Sequence, residues 1–242
     1  MIITLDDFKC RYEEIQSMDW IRTHRSGDTG IGKTLEDLLG IEENNLQEPD
    51  FGEYELKAGR NNSNSMLTLF TKTPSPRKSN AKLREKYGYS TASHNNGEKI
   101  LHATLNASNF VKIGDTGNSL KIEYIEDTSG DKIAIISETL TVDAYWLVDE
   151  LRKNFMNKYP NKLVYVKADS RGSGENEEFR FRQAYVCDGV NYDAFLNLLR
   201  EGKIYVDLRI GQYHDGRTHD HGTAFRIKES YQDYLFVKHK IC

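Results

Sequence analysis

The stretch that most limits what this chain can fold into runs from residue 141 to residue 210. TVDAYWLVDELRKNFMNKYP reads as a helix from about Thr141 to Lys158, and KLVYVKAD and FRFRQAYVCD follow it as strands. Residues 191 to 200 read as a second helix and KIYVDLRI as a further strand leading towards TAFRI. A switch of hydrophobic period between helix and strand, repeated without a long linker, predicts one α/β domain.

The rest of the chain fits that class. LDDFKCRYEEI places Leu5, Phe8, Tyr12 and Ile15 at three-to-four spacing, which predicts a helix over 5–18 with Thr4 or Asp6 as its cap. TLEDLLG puts Leu35, Leu38 and Leu39 on one face of a helix that stops at Gly40. GEYELKAG and SMLTLFTK have strand character, with NNSNS between them as a hairpin-like loop. TPSPRKSN reads as a loop and AKLREKYG as a short basic helix. Further strands are expected at 99–105, 119–126 and 132–138, the last two joined by the turn EDTSGDK. SYQDYLFVKHKI suits helix or strand equally, and there is no internal repeat.

Residues 27–34 read GDTGIGKT and satisfy the phosphate-loop pattern G-x-x-x-x-G-K-[ST]. A working phosphate loop needs a buried strand just before its first glycine, so that strand end and helix start converge on phosphate. WIRTHRS precedes it instead, with only Trp20 and Ile21 apolar, which is a poor central strand. The bland reading is a glycine loop capping the helix that carries Glu36.

Composition sets the chemistry available. Of 242 residues 29% are charged, no apolar run is long enough to span a bilayer, and the N-terminus lacks a basic start followed by an apolar segment. A soluble cytoplasmic protein without membrane contacts is expected. Cys10, Cys187 and Cys242 are odd in number and isolated, which predicts reduced thiols. The formal net charge of −4 speaks against nucleic-acid binding, yet its distribution is uneven. The first fifty residues carry twelve acids against five Lys and Arg, whereas residues 57–86 carry eight Lys and Arg against the single acid Glu85. That distribution is compatible with a locally basic cleft within an acidic protein, and Lys72 and Arg77 lie in the basic stretch.

EPDFGEYELK is the most informative short stretch. On a strand Glu55 and Lys57 share one face while Tyr54 and Leu56 point into packing, and Asp50 lies one short turn upstream. Asp50, Glu55 and the Leu56 carbonyl would supply hard oxygen ligands to Mg²⁺, and the adjacent ammonium would orient or help deprotonate an attacking water. That set suits metal-dependent phosphodiester hydrolysis. Glu201-Gly202-Lys203 and Asp7-Phe8-Lys9 have the same local shape, but only Glu55-Leu56-Lys57 has Pro49-Asp50 at the right distance upstream.

KIYVDLRIG puts Asp207 and Arg209 on one strand face and Val206, Leu208 and Ile210 on the other. An aspartate accepts from cytosine N4 and an arginine forks onto guanine O6 and N7, so the pair suits one C·G base pair, or else a surface ion pair. Downstream, His219-Asp220-His221 suits either a metal site or groove-facing donors and acceptors.

TGIGKTLEDLLG, PDFGEYELK, SMLTLFTKTPSPR with its basic helix, and VDLRIGQYHDGRTHDHGTAFRI together resemble the MvaI and BcnI type II restriction endonucleases. These are relatives of the repair nickase MutH within the PD-(D/E)XK nuclease group, and the resemblance is nearer to MvaI. Residues 90–180 contribute no matching motif. The resemblance implies an α/β fold with a mixed central β-sheet flanked by helices, of PD-(D/E)XK and MutH-like kind, and a DNA-binding cleft. It implies one endonuclease domain over 1–242, divisible into a catalytic lobe of about 1–165 and a recognition lobe of about 166–242.

Carried over by residue, Asp50 and Glu55 become metal ligands, Lys57 the catalytic lysine and Glu36 a supporting carboxylate. Asp207, Arg209, His219, His221 and Arg226 become the recognition set. The implied activity is Mg²⁺-dependent cleavage of double-stranded DNA at a CC-N-GG site with A or T at the centre, by a monomer nicking one strand at a time. A cognate DNA methyltransferase is the implied cellular partner, and no nucleotide triphosphate is implied by GDTGIGKT. Two other readings remain at this point: a site-specific DNA-binding protein that does not cleave, and a MutH-like repair nickase that needs a partner.

Overall fold

The computed structural model describes residues 4–42, 49–61, 66–91, 98–159, 162–213, 215–220 and 222–242. In chain order the elements are α1 (Leu5–Ser17), β1 (Ile21–Arg22), α2 (Gly30–Leu39), β2 (Tyr54–Arg60), β3 (Leu67–Thr71), α3 (Ser79–Tyr87), β4 (Leu101–Leu105) and β5 (Val111–Lys112). Then follow β6 (Ser119–Ile125), β7 (Lys132–Ser137), β8 (Val142–Leu147), α4 (Val148–Lys158), β9 (Lys162–Arg171) and β10 (Glu178–Asp188). The chain closes with α5 (Tyr192–Arg200), β11 (Ile204–Gln212), β12 (Thr218–Asp220), β13 (Ala224–Ile227), α6 (Glu229–Gln232) and β14 (Val237–Lys240).

The chain forms two compact units, the first built from residues 1–67, 156–191 and 232–242, the second from 68–155 and 192–231. Residues 166–191 pack in the first unit as the C-terminal part of β9 together with β10.

In the first unit, a capping box starts α1: the Asp7 amide donates to Thr4 Oγ1 at 3.1 Å and the Thr4 amide to Asp7 Oδ2 at 2.9 Å. Its stripe of Phe8, Tyr12 and Ile15 is fully buried. Helix α2 ends where Gly40 turns left-handed at φ 71°, a conformation that glycine adopts without a Cβ penalty. The sheet runs β1-β10-β9-β2, with β14 also pairing β10; β2 and β9 are parallel, while β1, β9 and β14 are antiparallel to β10. Leu56, Val164, Val166, Ala168, Phe179 and Phe181 from this sheet share one core with α1 and α2.

In the second unit β11 pairs antiparallel with β4, β12 and β13, and β13 pairs β3. A separate antiparallel sheet runs β5-β6-β7-β8. Phe70, Trp146, Phe155, Phe195 and Phe225 form an aromatic core with ring centroids 4.8–6.0 Å apart.

Several expectations need correction. The fold is α/β, and the sheet of the first unit is mixed and packs on helices as expected, but the described residues form two further sheets beside it. The helix expected from Thr141 begins only at Val148. VDAYWL is a strand because alternation buries Ala144 and Trp146 while Asp143, Tyr145 and Leu147 are only half-buried, and β7 supplies its hydrogen-bond partner. Strands β2 and β3 belong to different sheets and form no hairpin; residues 62–65 between them lie outside the described residues. SYQDYLFVKHKI divides into the short α6 and the strand β14. No helix among the described residues is long and apolar enough to cross a membrane.

Candidate active site

Strand β2 carries Glu55, Leu56 and Lys57, paired in parallel register with Leu163, Val164 and Tyr165 of β9. Just before it a tight turn closes by reciprocal backbone bonds, Tyr54 amide to Phe51 carbonyl at 2.8 Å and Phe51 amide to Tyr54 carbonyl at 3.2 Å. Gly52 sits in this turn at φ 51°. Stacked rings anchor it, Tyr54 on Phe51, Phe51 on Phe8 and Phe8 on Tyr12. The turn folds Asp50 back along the strand, so that the Leu56 amide donates to Asp50 Oδ2 at 2.7 Å. In a strand the amide and carbonyl of one residue face the same side, which puts the Leu56 carbonyl on the Asp50 side as well.

Glu55 is 1% exposed. Its Oε1 accepts from two ammonium groups, Lys57 Nζ at 2.5 Å and Lys158 Nζ at 2.7 Å, while its Oε2 is buried without a hydrogen-bond partner among the described residues. Burial and then the neighbouring Glu55 charge hold the Asp50 carboxyl above the ordinary carboxylate range, against the opposing Leu56 amide and the two lysines. Burial pulls the Lys57 ammonium down, but the charge and hydrogen bond of Glu55, with Asp50 and Glu36 behind them, outweigh it and raise its pKa overall. The half-buried Glu36 on α2 thus acts on Lys57 through its charge. Burial, followed by the Glu55 and Asp50 charges, raises the Tyr159 hydroxyl well above its usual value and keeps it neutral.

The turn and strand therefore bring Asp50, Glu55 and Lys57 together, with Glu36 in electrostatic reach. Lys158 is the member that sequence reading missed. It ends α4, about one hundred residues from Glu55, and no local spacing links the two. Among the described residues no group of three or more His, Cys, Asp or Glu side chains gathers as a metal site.

GDTGIGKT proves to be mostly helix. Helix α2 starts at Gly30, inside the motif, and the Gly30 and Lys33 amides bond to the Gly27 and Thr29 carbonyls at 3.0 and 3.1 Å. Amides so engaged are unavailable to cradle phosphate, and the preceding β1 is a two-residue strand. The loop is held instead by Arg60, whose guanidinium donates to the Gly27 and Asp28 carbonyls, both at 3.2 Å.

In the second unit Asp207 of β11 is 1% exposed and accepts three hydrogen bonds. Its Oδ1 accepts from Arg209 Nη1 at 2.7 Å and from Thr104 Oγ1 of β4 at 2.8 Å, and its Oδ2 from Arg226 Nη1 at 2.9 Å. Arg226 on β13 also donates through Nε to Thr68 Oγ1 at 3.0 Å. The strand alternation expected for Asp207 and Arg209 is present, with Val206, Leu208 and Ile210 buried opposite. The His219 ring packs on Tyr213 at 4.6 Å between centroids. His221 and the Asp220 side chain lie outside the described residues, so the His219-Asp220-His221 alternatives stay as expectations. Lys72 is half-buried, its backbone tied to the Thr223 carbonyl and the Trp146 indole, and Arg77 is exposed.

The family model described as MvaI/BcnI restriction endonuclease family matches residues 10–236. Among solved structures, the restriction endonuclease MvaI in complex with its cognate DNA substrate is 31% identical over the whole of both chains, with a TM-score of 0.85. MvaI in the absence of DNA is 30% identical over 100% of this chain and 99% of that one, with a TM-score of 0.57. A comparison with curated proteins finds no match. Matched over nearly its whole length, the chain belongs to the MvaI/BcnI restriction endonuclease family, a family of type II site-specific deoxyribonucleases.

Proposed function

We propose that this restriction endonuclease hydrolyses double-stranded DNA with Mg²⁺ held by Asp50, Glu55 and the Leu56 carbonyl, at a CC-N-GG site with A or T at the centre, as a monomer that nicks one strand at a time. A methyltransferase of the same specificity would protect the host sites. The observation that carries the reading is Glu55 Oε2, a buried carboxylate oxygen without a donor among the described residues, beside a second carboxylate whose pKa is raised. Such a pair favours a hard divalent cation, and the oxygen-only donor set suits Mg²⁺. When bound, the ion would offset the charge that builds on the scissile phosphate and the departing O3′.

The protein's own groups do the remaining work. Lys57, protonated in this state, donates to a phosphate oxygen and holds the attacking water in line. As the water oxygen bonds to phosphorus it releases a proton to solvent and the P–O3′ bond breaks; O3′ takes a proton from solvent, leaving a 5′-phosphate and a 3′-hydroxyl. Glu36 stabilises the charged lysine from α2. On the second unit Asp207 aims Arg209 and Arg226, each able to fork onto guanine O6 and N7 for about 1–3 kcal/mol of discrimination. A carboxylate has about four lone-pair sites, and three of those of Asp207 are taken, so its own contact to cytosine N4 is confined to Oδ2. His219 and His221 serve the groove, and Lys72 and Arg77 the phosphates.

Digestion of a fully sequenced plasmid with Mg²⁺, followed by end sequencing, tests the proposal. Fixed ends within CC-N-GG support it, whereas no cutting, or cutting at scattered positions, refutes it.

A further inference from the structure

Two ammonium groups converge on one oxygen of Glu55, while among the described residues the other oxygen has no hydrogen-bond partner. A single cation would pair a buried carboxylate, so the second needs its own reason. Lys158 is the last residue of α4, where a lysine ordinarily extends into water and favours the helix C-terminus. Here its side chain is only 28% exposed and its ammonium is spent on Glu55 Oε1 at 2.7 Å.

We propose that Lys158 is a positioning residue of the nuclease site: it keeps Glu55 compensated so that Lys57 can leave Glu55 for the reacting phosphate and its water. This rests on the proposed function. Taking the only partner away from a buried carboxylate is strongly unfavourable, so with Lys57 alone the lysine would be locked on Glu55 and lost to the substrate. With Lys158 in place, Lys57 moves and Glu55 remains paired through Oε1. Lys158 also adds one positive charge within the metal site's field, which opposes divalent binding; its removal therefore tightens metal affinity even as it slows cutting. A lysine that merely supported the local fold would do the reverse, since its loss would loosen the site.

The test compares the full-length protein with its Lys158→Met and Lys158→Arg variants. Calorimetric titration with Mn²⁺ in the absence of DNA gives metal affinity, and cleavage of a CC-N-GG duplex in Mg²⁺ gives kcat and KM. Lys158→Met should bind Mn²⁺ about three- to tenfold more tightly. Its kcat should fall about 10- to 100-fold with KM for DNA little changed, the pattern of a group that acts in the transition state. Lys158→Arg, which keeps the charge, should stay within about threefold of wild type in both readouts. The proposal is overturned if Lys158→Met binds Mn²⁺ no more tightly than wild type, if it cuts at the wild-type rate, or if Lys158→Arg behaves like Lys158→Met. Should Lys158→Met melt below the assay temperature, Lys158→Gln takes its place under the same criteria. A wild-type protein that neither binds Mn²⁺ nor cuts would overturn the proposed function itself, whereas active wild type with unaltered variants would overturn only the role of Lys158.

Discussion

Arg60 lies flat against Glu177, Nε on Oε1 and Nη2 on Oε2, both at 2.7 Å. The guanidinium also packs over the Phe179 ring, 5.2 Å from its centroid, and holds the Gly27 and Asp28 carbonyls. One residue three places beyond Lys57 thus joins β2 to β10 and to the loop that leads into the helix of Glu36. Both side chains are largely buried, at 15% and 11% exposure, so removing one leaves the other's charge uncompensated. Arg60→Met is expected to destabilise the protein by about 2–3 kcal/mol, less than a fully buried pair because some solvent reaches it. Differential scanning calorimetry should show a fall in melting temperature of about 5–10 °C, and an unchanged transition would remove the anchoring role.

Glu55→Gln removes one carboxylate charge from the proposed metal set while keeping the side chain's shape. Cleavage should drop by about a thousandfold or more, with binding to cognate duplex retained within a few-fold. Lys57→Ala should abolish cutting in the same way and leave DNA affinity largely intact. Gel-shift titration beside a plasmid nicking assay separates the two effects, and wild-type cutting by either variant contradicts the assigned roles.

Asp50 supplies a pH prediction. Its folded-state pKa is raised, so between the unfolded and folded values the metal-free folded protein binds this proton more tightly than the unfolded chain does. Stability from this group is therefore present at low pH and lost as pH rises through the raised value. Asp50→Asn should accordingly melt higher than wild type in EDTA near neutral pH, while failing to cut. For the same reason protons compete with the metal at higher pH than at an ordinary carboxylate, so the Mg²⁺ needed for half-maximal cutting should increase as pH falls. A Mg²⁺ requirement that is flat below neutrality would count against Asp50 as a ligand.

Asp207 holds Arg209, Arg226 and Thr104 at one carboxylate. Asp207→Asn should lower cognate affinity about 10- to 100-fold, with little loss on unrelated DNA at the same salt. Because the two arginines share that partner, Arg226→Ala should have a smaller effect in the Asp207→Asn background than in wild type. A double-mutant cycle on cognate binding measures this, and strict additivity would show that the carboxylate does not position them.

Burial pushes the Cys187 thiol up to about 12, whereas Cys10 is exposed. At pH 8 iodoacetamide should modify Cys10 within minutes and leave Cys187 intact until the protein unfolds, as read by peptide mass mapping.

What sequence alone determined was local. The capping box at Thr4 and Asp7, the stop at Gly40, the period-two placement of Glu55 with Lys57 and of Asp207 with Arg209 are all set by neighbours within a few residues, because hydrogen bonds and side-chain direction at that range follow backbone periodicity. Asp50 was legible for the same reason, since a short turn returns it to its own strand. The apolar spacing around 142–147 misled, because helix and strand periods both accommodate so short a run and only pairing with β7 and the burial of Trp146 chose the strand. Tertiary structure alone decided that Lys158 meets Glu55, that Arg226 and Thr104 meet Asp207, and that Glu177 receives Arg60. Those partners lie from about twenty to over a hundred residues apart. Their encounter follows from which strands pair and which faces are buried, a balance of packing and desolvation over the whole fold that no local pattern encodes.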